Sequence, residues 1–95
     1  MVSIKSDMID KLFESILKLE NIDECYEYFQ DLCTIKEIQD MALRLECAHL
    51  IDQGMKYQEI SASTGLSTAT ISRVSKCLNY GEGGYRKTLD REKNN

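Results

Sequence analysis

The chain lacks proline and tryptophan altogether, and phenylalanine occurs only at Phe13 and Phe29. Without proline nothing forbids long uninterrupted helices. Long apolar runs are missing too: no stretch approaches the ~20 residues a membrane-crossing helix needs. The opening Met1–Asp7 turns acidic and amphipathic within a few residues, which is not the pattern of an export signal. The expectation is a cytoplasmic protein with no membrane partner. Histidine is confined to His49. The four cysteines, Cys25, Cys33, Cys47 and Cys77, form no Cys-x-x-Cys pair. Structural zinc sites draw on closely spaced ligands, so no metal site is expected. In a chain with no export signal the cysteines read as buried, reduced thiols.

What remains is an ordinary globular composition in a small chain. The 95 residues are 42% hydrophobic and 29% charged, a balance that favours folding over disorder. This is one domain, residues 1–95, too small to bury much surface alone, and dimerisation is the natural remedy. The net charge of −4 is uneven. Residues 1–40 hold four Lys against ten acids, while residues 54–95 hold seven Lys and Arg against four acids. The acidic total argues against indiscriminate nucleic-acid binding, which needs many cations to neutralise phosphates. It leaves room for a local basic face.

Helical periodicity runs through the chain. Ile4, Met8, Ile9, Leu12, Phe13, Ile16 and Leu17 recur at three- and four-residue steps and predict a helix over residues 3–19. Asn21 with Glu24 resembles a capping pair, and Ile22, Cys25, Tyr26, Phe29 and Leu32 form a second stripe ending near Cys33. The first stripe is expected to face either the chain's own core or a partner chain, which makes residues 1–33 the candidate dimerisation helices. Thr34 with Glu37 is a cleaner capping box. Behind it Ile35, Ile38, Met41, Ala42, Leu45, Ala48 and Ile51 form one face of a long central helix, residues 34–54, stopped by Gly54. His49 lies on that helix, where a lone histidine is expected as a packing or surface residue. The glycines of Tyr80-Gly-Glu-Gly-Gly-Tyr85 then open a tail, residues 80–95. In it Tyr85–Arg91 make a last turn or two, and residues 92–95 fray.

The chemistry-bearing stretch is residues 57–79. Two short helices, Tyr57–Thr64 and Thr68 to about Asn79, flank the turn Gly65-Leu66-Ser67. Ile60 and Thr64 face inward, Ser61 is small, Gly65 supplies positive φ, and Leu66 plugs the corner. Ile71, Val74 and Leu78 line the inner side of the second helix, with Ser67 as its cap. That leaves Thr68, Ala69, Thr70, Ser72, Arg73 and Lys76 for an outer face, with Gln58 on the preceding helix. Short hydroxyls and a methyl suit base edges, and the two cations suit phosphates. This is a helix-turn-helix, whose second helix reads the major groove of double-stranded DNA. An alternative use of the motif is docking another protein, which the acidic total favours. Catalysis is not expected. There is no glycine-rich phosphate loop, and Cys47 and His49, two apart on a helix, do not face each other.

Residues 32–44, Leu-Cys-Thr-Ile-Lys-Glu-Ile-Gln-Asp-Met-Ala-Leu-Arg, the long helix to Gly54, Ala69-Thr-Ile-Ser-Arg73 and the Tyr80–Tyr85 tail resemble the tryptophan-repressor superfamily, in particular its YerC/YecD-type branch. The resemblance implies an all-α fold: a multi-helix, intertwined homodimer with one helix-turn-helix per protomer, acting as a transcriptional regulator and most plainly a repressor. It also implies an effector pocket. Arg44 and Arg73 match the two arginines that sandwich an L-tryptophan corepressor in the founding member, and Thr34 matches a third pocket residue. Val74 stands where the family has glycine, Cys77 where it has a serine that helps hold the ligand, and the turn is one residue shorter. A branched side chain takes up space and a thiol is a weak hydrogen-bond partner. The expectation is therefore no tryptophan corepressor and no other cofactor, with Thr34, Arg44, Arg73 and Cys77 left as candidates for a smaller effector.

Overall fold

The computed structural model describes residues 3–94, so Met1, Val2 and Asn95 lie outside it. The described residues form six helices and no strand: α1 (Asp7–Ile16), α2 (Ile22–Leu32), α3 (Ile35–Asp52), α4 (Tyr57–Thr64), α5 (Thr68–Tyr80) and α6 (Gly84–Lys93). They fall into two compact units that divide after Ile35.

In the first unit, α1 is shorter than its periodicity predicts. Ser6 caps it, accepting from the Ile9 amide at 3.1 Å, so Ile4 lies before the helix. Asp7 and Asp10 sit in the first turn, where a carboxylate suits the helix dipole. At the other end the Lys18 and Leu19 amides donate three residues back, and the helix tightens and stops. The Asn21 cap holds: its Oδ1 accepts from the Glu24 amide at 2.9 Å. The Glu24 carboxylate reaches one residue further back than a strict capping box, to the Glu20 amide at 3.0 Å. The Ser15 and Tyr28 hydroxyls are hydrogen-bonded and tie α1 to α2. No residue of either helix is buried. Met8 is 80% exposed and Leu17 84%, while Phe13, Ile22 and Tyr26 are also open.

The second unit has a true core. Cys47 and Ala48 of α3, Ile60 of α4, Ile71, Val74 and Leu78 of α5, and Leu89 of α6 are all buried. Leu50, Ile51, Met55, Leu66 and Tyr85 pack around them. Each such aliphatic side chain contributes about 1.5–3 kcal/mol by leaving water. The stop of α3 organises this core. Gly54 adopts φ +85°, its amide donates to Ile51 O at 2.9 Å, and the Met55 amide donates to Leu50 O at 3.0 Å. These two bonds reverse the chain and lead it straight into α4.

Several expectations need correction. The face of α3 that its periodicity marks is covered within the unit only towards its C-terminal end. Of its members only Ala48 is buried, with Ile38 and Ile51 partly so, whereas Ile35, Met41, Ala42 and Leu45 are exposed. Within their unit α4, α5 and α6 gather at the last third of α3, where Cys47 and Ala48 are buried and Leu50 and Ile51 pack against them. The thiols are free, but only Cys47 is buried. Burial pushes its pKa up. Cys33 is half-buried, and Cys25 and Cys77 are exposed, because α2 buries nothing and Cys77 borders the surface of α5. The tail is also more ordered than predicted. α6 runs ten residues to Lys93; Lys93 pairs with Asp52 of α3 and Glu92 lies 3.2 Å from His49, so neither is frayed.

Candidate nucleic-acid interface

The helix-turn-helix is built as its sequence predicts. Gly65 has φ +77° and its amide donates to Ser61 O at 2.8 Å. The Ser61 hydroxyl donates across the turn to Leu66 O at 2.7 Å. The Thr64 hydroxyl donates to Ile60 O at 2.7 Å and accepts from the Leu66 amide at 3.2 Å. The Ser61 and Thr64 hydroxyls thus tie the end of α4 to the turn that leads into α5. Ser67 caps α5, accepting from the Thr70 amide at 3.2 Å. Ile71, Val74 and Leu78 turn into the core.

The face opposite carries the predicted readers. Thr68, Ala69, Ser72, Arg73 and Lys76 are exposed on α5, and Gln58 is exposed on α4. α5 contains no acidic residue. Thr70 differs from the others. It is half-buried, its hydroxyl accepts from Ser67 at 3.1 Å, and it points into a cavity rather than to the open face.

That cavity has a volume of about 100 Å³ and is lined by Arg44, Thr70, Arg73, Val74, Cys77 and Tyr85. It brings Arg44, Arg73 and Cys77 together as the resemblance implies. Thr34 belongs to the other unit and is not among the lining residues. Neither guanidinium makes an ion pair among the described residues. The volume falls below the roughly 300 Å³ at which small-molecule pockets begin. Val74, only 2% exposed, fills part of the space. Tyr85 was not among the predicted pocket residues. Its signal was its spacing from Leu89, which puts both on one face of a helix after the glycines.

Charged side chains also join α6 to α3. Arg86 Nη1 lies 2.9 Å and Lys93 Nζ 2.6 Å from the Asp52 carboxylate. The Lys93 ammonium first, and the Arg86 guanidinium second, hold that carboxyl below its ordinary pKa by hydrogen bonding to its charged form. His49 is half-buried beside Glu92, 3.2 Å away. Among the described residues no group of His, Cys, Asp and Glu could hold a metal ion, and no helix is long and apolar enough to cross a membrane.

Comparisons with known proteins agree on one family. The model for the Trp repressor protein family matches residues 7–93. The YerC protein of Bacillus subtilis (strain 168) is 52% identical over 90 residues, covering 95% of this chain and 86% of that one. Two solved structures superpose with a TM-score of 0.89 each. One is a candidate Trp repressor from Staphylococcus aureus, 47% identical and covering 95% of this chain and 90% of that one. The other is a TrpR-like protein from Eubacterium eligens ATCC 27750, 43% identical and covering 93% and 91%.

Proposed function

The chain belongs to the Trp repressor protein family, and from that premise we propose that it is a homodimeric, sequence-specific reader of double-stranded DNA that represses transcription in the cytoplasm. The observation that carries this reading is the exposed face of α5. A surface that only had to stay soluble would carry mixed charges, yet this one presents Thr68, Ala69, Ser72, Arg73 and Lys76 with no acid. Short side chains let the helix sit deep in a major groove. Arg73 and Lys76 pair with phosphates or guanine edges, and Gln58 adds a contact from α4. Thr70 supports the reading helix from behind.

The first unit supports the dimer. Its exposed Met8, Phe13, Leu17, Ile22 and Tyr26 form the kind of apolar surface that soluble chains cover with a partner. A second copy satisfies it and brings two reading helices to one palindromic site. The family is one of regulators, and the reading is of binding rather than catalysis. Arg44, Arg73 and Cys77 are the proposed effector residues. Val74 and the small cavity speak for a ligand smaller than tryptophan.

The test is a salt titration of Arg73→Ala and Lys76→Ala on a duplex the wild-type protein selects. Each variant is expected to weaken binding by about 1–3 kcal/mol if it loses a base contact, or to reduce the salt slope by about 0.9 if it loses a phosphate. Unchanged affinity and slope in both would contradict the reading.

A further inference from the structure

Asp52 is the last residue of α3. The free carbonyls of a helix C-terminus carry partial negative charge, so a carboxylate is disfavoured there. The side chain is nevertheless only 14% exposed and is gripped by two cations of α6. Arg86 and Lys93 stand two turns apart, so one carboxylate spans most of that helix. Arg86 also reaches Asp90 at 3.3 Å, and one turn earlier on α3 His49 meets Glu92. Little else holds α6. Leu89 is its one buried residue, and its cap, Gly83, offers no side chain. A ten-residue helix with only Tyr85 and Leu89 turned to the core is not stable unaided.

α6 in turn stands behind the reading helix. Leu89 packs into the cluster with Ile71, Val74 and Leu78 of α5, and Tyr85 closes the cavity next to Arg73. We infer that Asp52 is a positioning residue for DNA reading: by gripping Arg86 and Lys93 it fixes α6 on α3, and α6 fixes the seat of α5. This rests on the DNA-reading role proposed above. The carboxylate itself touches no DNA. Its effect passes through Leu89 and Tyr85 to the orientation of Thr68, Ser72 and Arg73.

The experiment compares wild type, Asp52→Asn and Asp52→Glu for affinity to a selected duplex and to a random one, in the cold, with the helical content of each checked first. Amide hydrogen exchange of α5 is measured alongside in the free protein. Asp52→Asn removes the charge while suiting the helix end, and it is expected to keep its helical content. Its specific binding should weaken about tenfold, the scale of one mismatched base pair. Non-specific binding, set by the retained Arg73 and Lys76, should hardly move, so the specificity ratio falls. Asp52→Glu keeps the charge and should recover most of the loss. A merely structural Asp52 would lower the melting temperature and leave the specificity ratio of the folded protein intact, and that result overturns the inference. If Asp52→Asn does not fold, Arg86→Gln with Lys93→Gln asks the same question from the exposed side of the clamp. If wild type selects no duplex, the DNA-reading role falls by itself. The clamp is then judged by exchange. Loss of α5 protection in Asp52→Asn but not in Asp52→Glu supports the seat, and equal protection in all three overturns it.

Discussion

The helices before Ile35 and those after it use apolar residues in opposite ways. α1 and α2 carry strong apolar stripes and bury none of their residues, with Met8, Leu17 and Ile22 mostly open to water. α4, α5 and α6 are more polar, yet each sends at least one side chain to complete burial or nearly so: Ile60, Ile71 and Leu89. The strength of a stripe therefore says how much surface a helix must hide, not whether its own chain hides it. The charge follows the same division. The acids crowd residues 1–40, whose helices leave their apolar faces open, and most of the cations lie on residues 54–95, where the core is. On the function proposed above, the first half associates and the second presents the reading helix.

The contrast can be broken at either end. The largest effect is expected from Phe13→Asp, which places a lone charge on the open stripe of α1. Burying it against a second copy would cost several kcal/mol, so the protein should sediment as a folded monomer and lose specific DNA binding. A variant that remains dimeric would show that this stripe is not the dimer surface. Next comes Ile60→Ala, which empties the core of the second unit. Denaturant unfolding should lose about 2–5 kcal/mol. Gly65→Val should cost less, about 1–2 kcal/mol, from backbone strain alone, since nothing lies within 4 Å of the position its Cβ would take. The smallest effect is electrostatic. The Asp52 carboxyl is depressed by Lys93 and Arg86. Its contribution to stability is therefore present above the ordinary carboxylate pKa and is lost as pH falls through the lower, folded value. Acid titration of unfolding should show a steeper loss in wild type than in Asp52→Asn.

The turn of the helix-turn-helix is legible in the sequence because its determinants are local. Gly65 and the Ser67 cap act within four residues, and Ile60, Ile71, Val74 and Leu78 follow a helical period that leaves one inner face. The stop at Gly54 was legible for the same reason. The buried part of α3 was not, because periodicity marks a face but not how far along the helix other elements cover it. The exposure of Cys25 and Cys77 depends on the same unseen placement. α6 was under-read since glycines precede it and its composition is polar. What keeps it helical is a partner 34 residues upstream, Asp52, which no local pattern announces. Of the candidate site, the open face of α5 and the meeting of Arg44, Arg73 and Cys77 were foreseen. Tyr85 and the inward turn of Thr70 were not.

The most direct measurement is selection of random double-stranded DNA by the purified protein at low salt. A dimer that presents two copies of α5 should enrich a palindrome whose half-sites lie about one helical turn apart, ~34 Å centre to centre. Arg73→Ala should abolish or relax that enrichment. A pool that stays random, or one that converges on a single unrepeated half-site, would contradict the account of a dimeric reader.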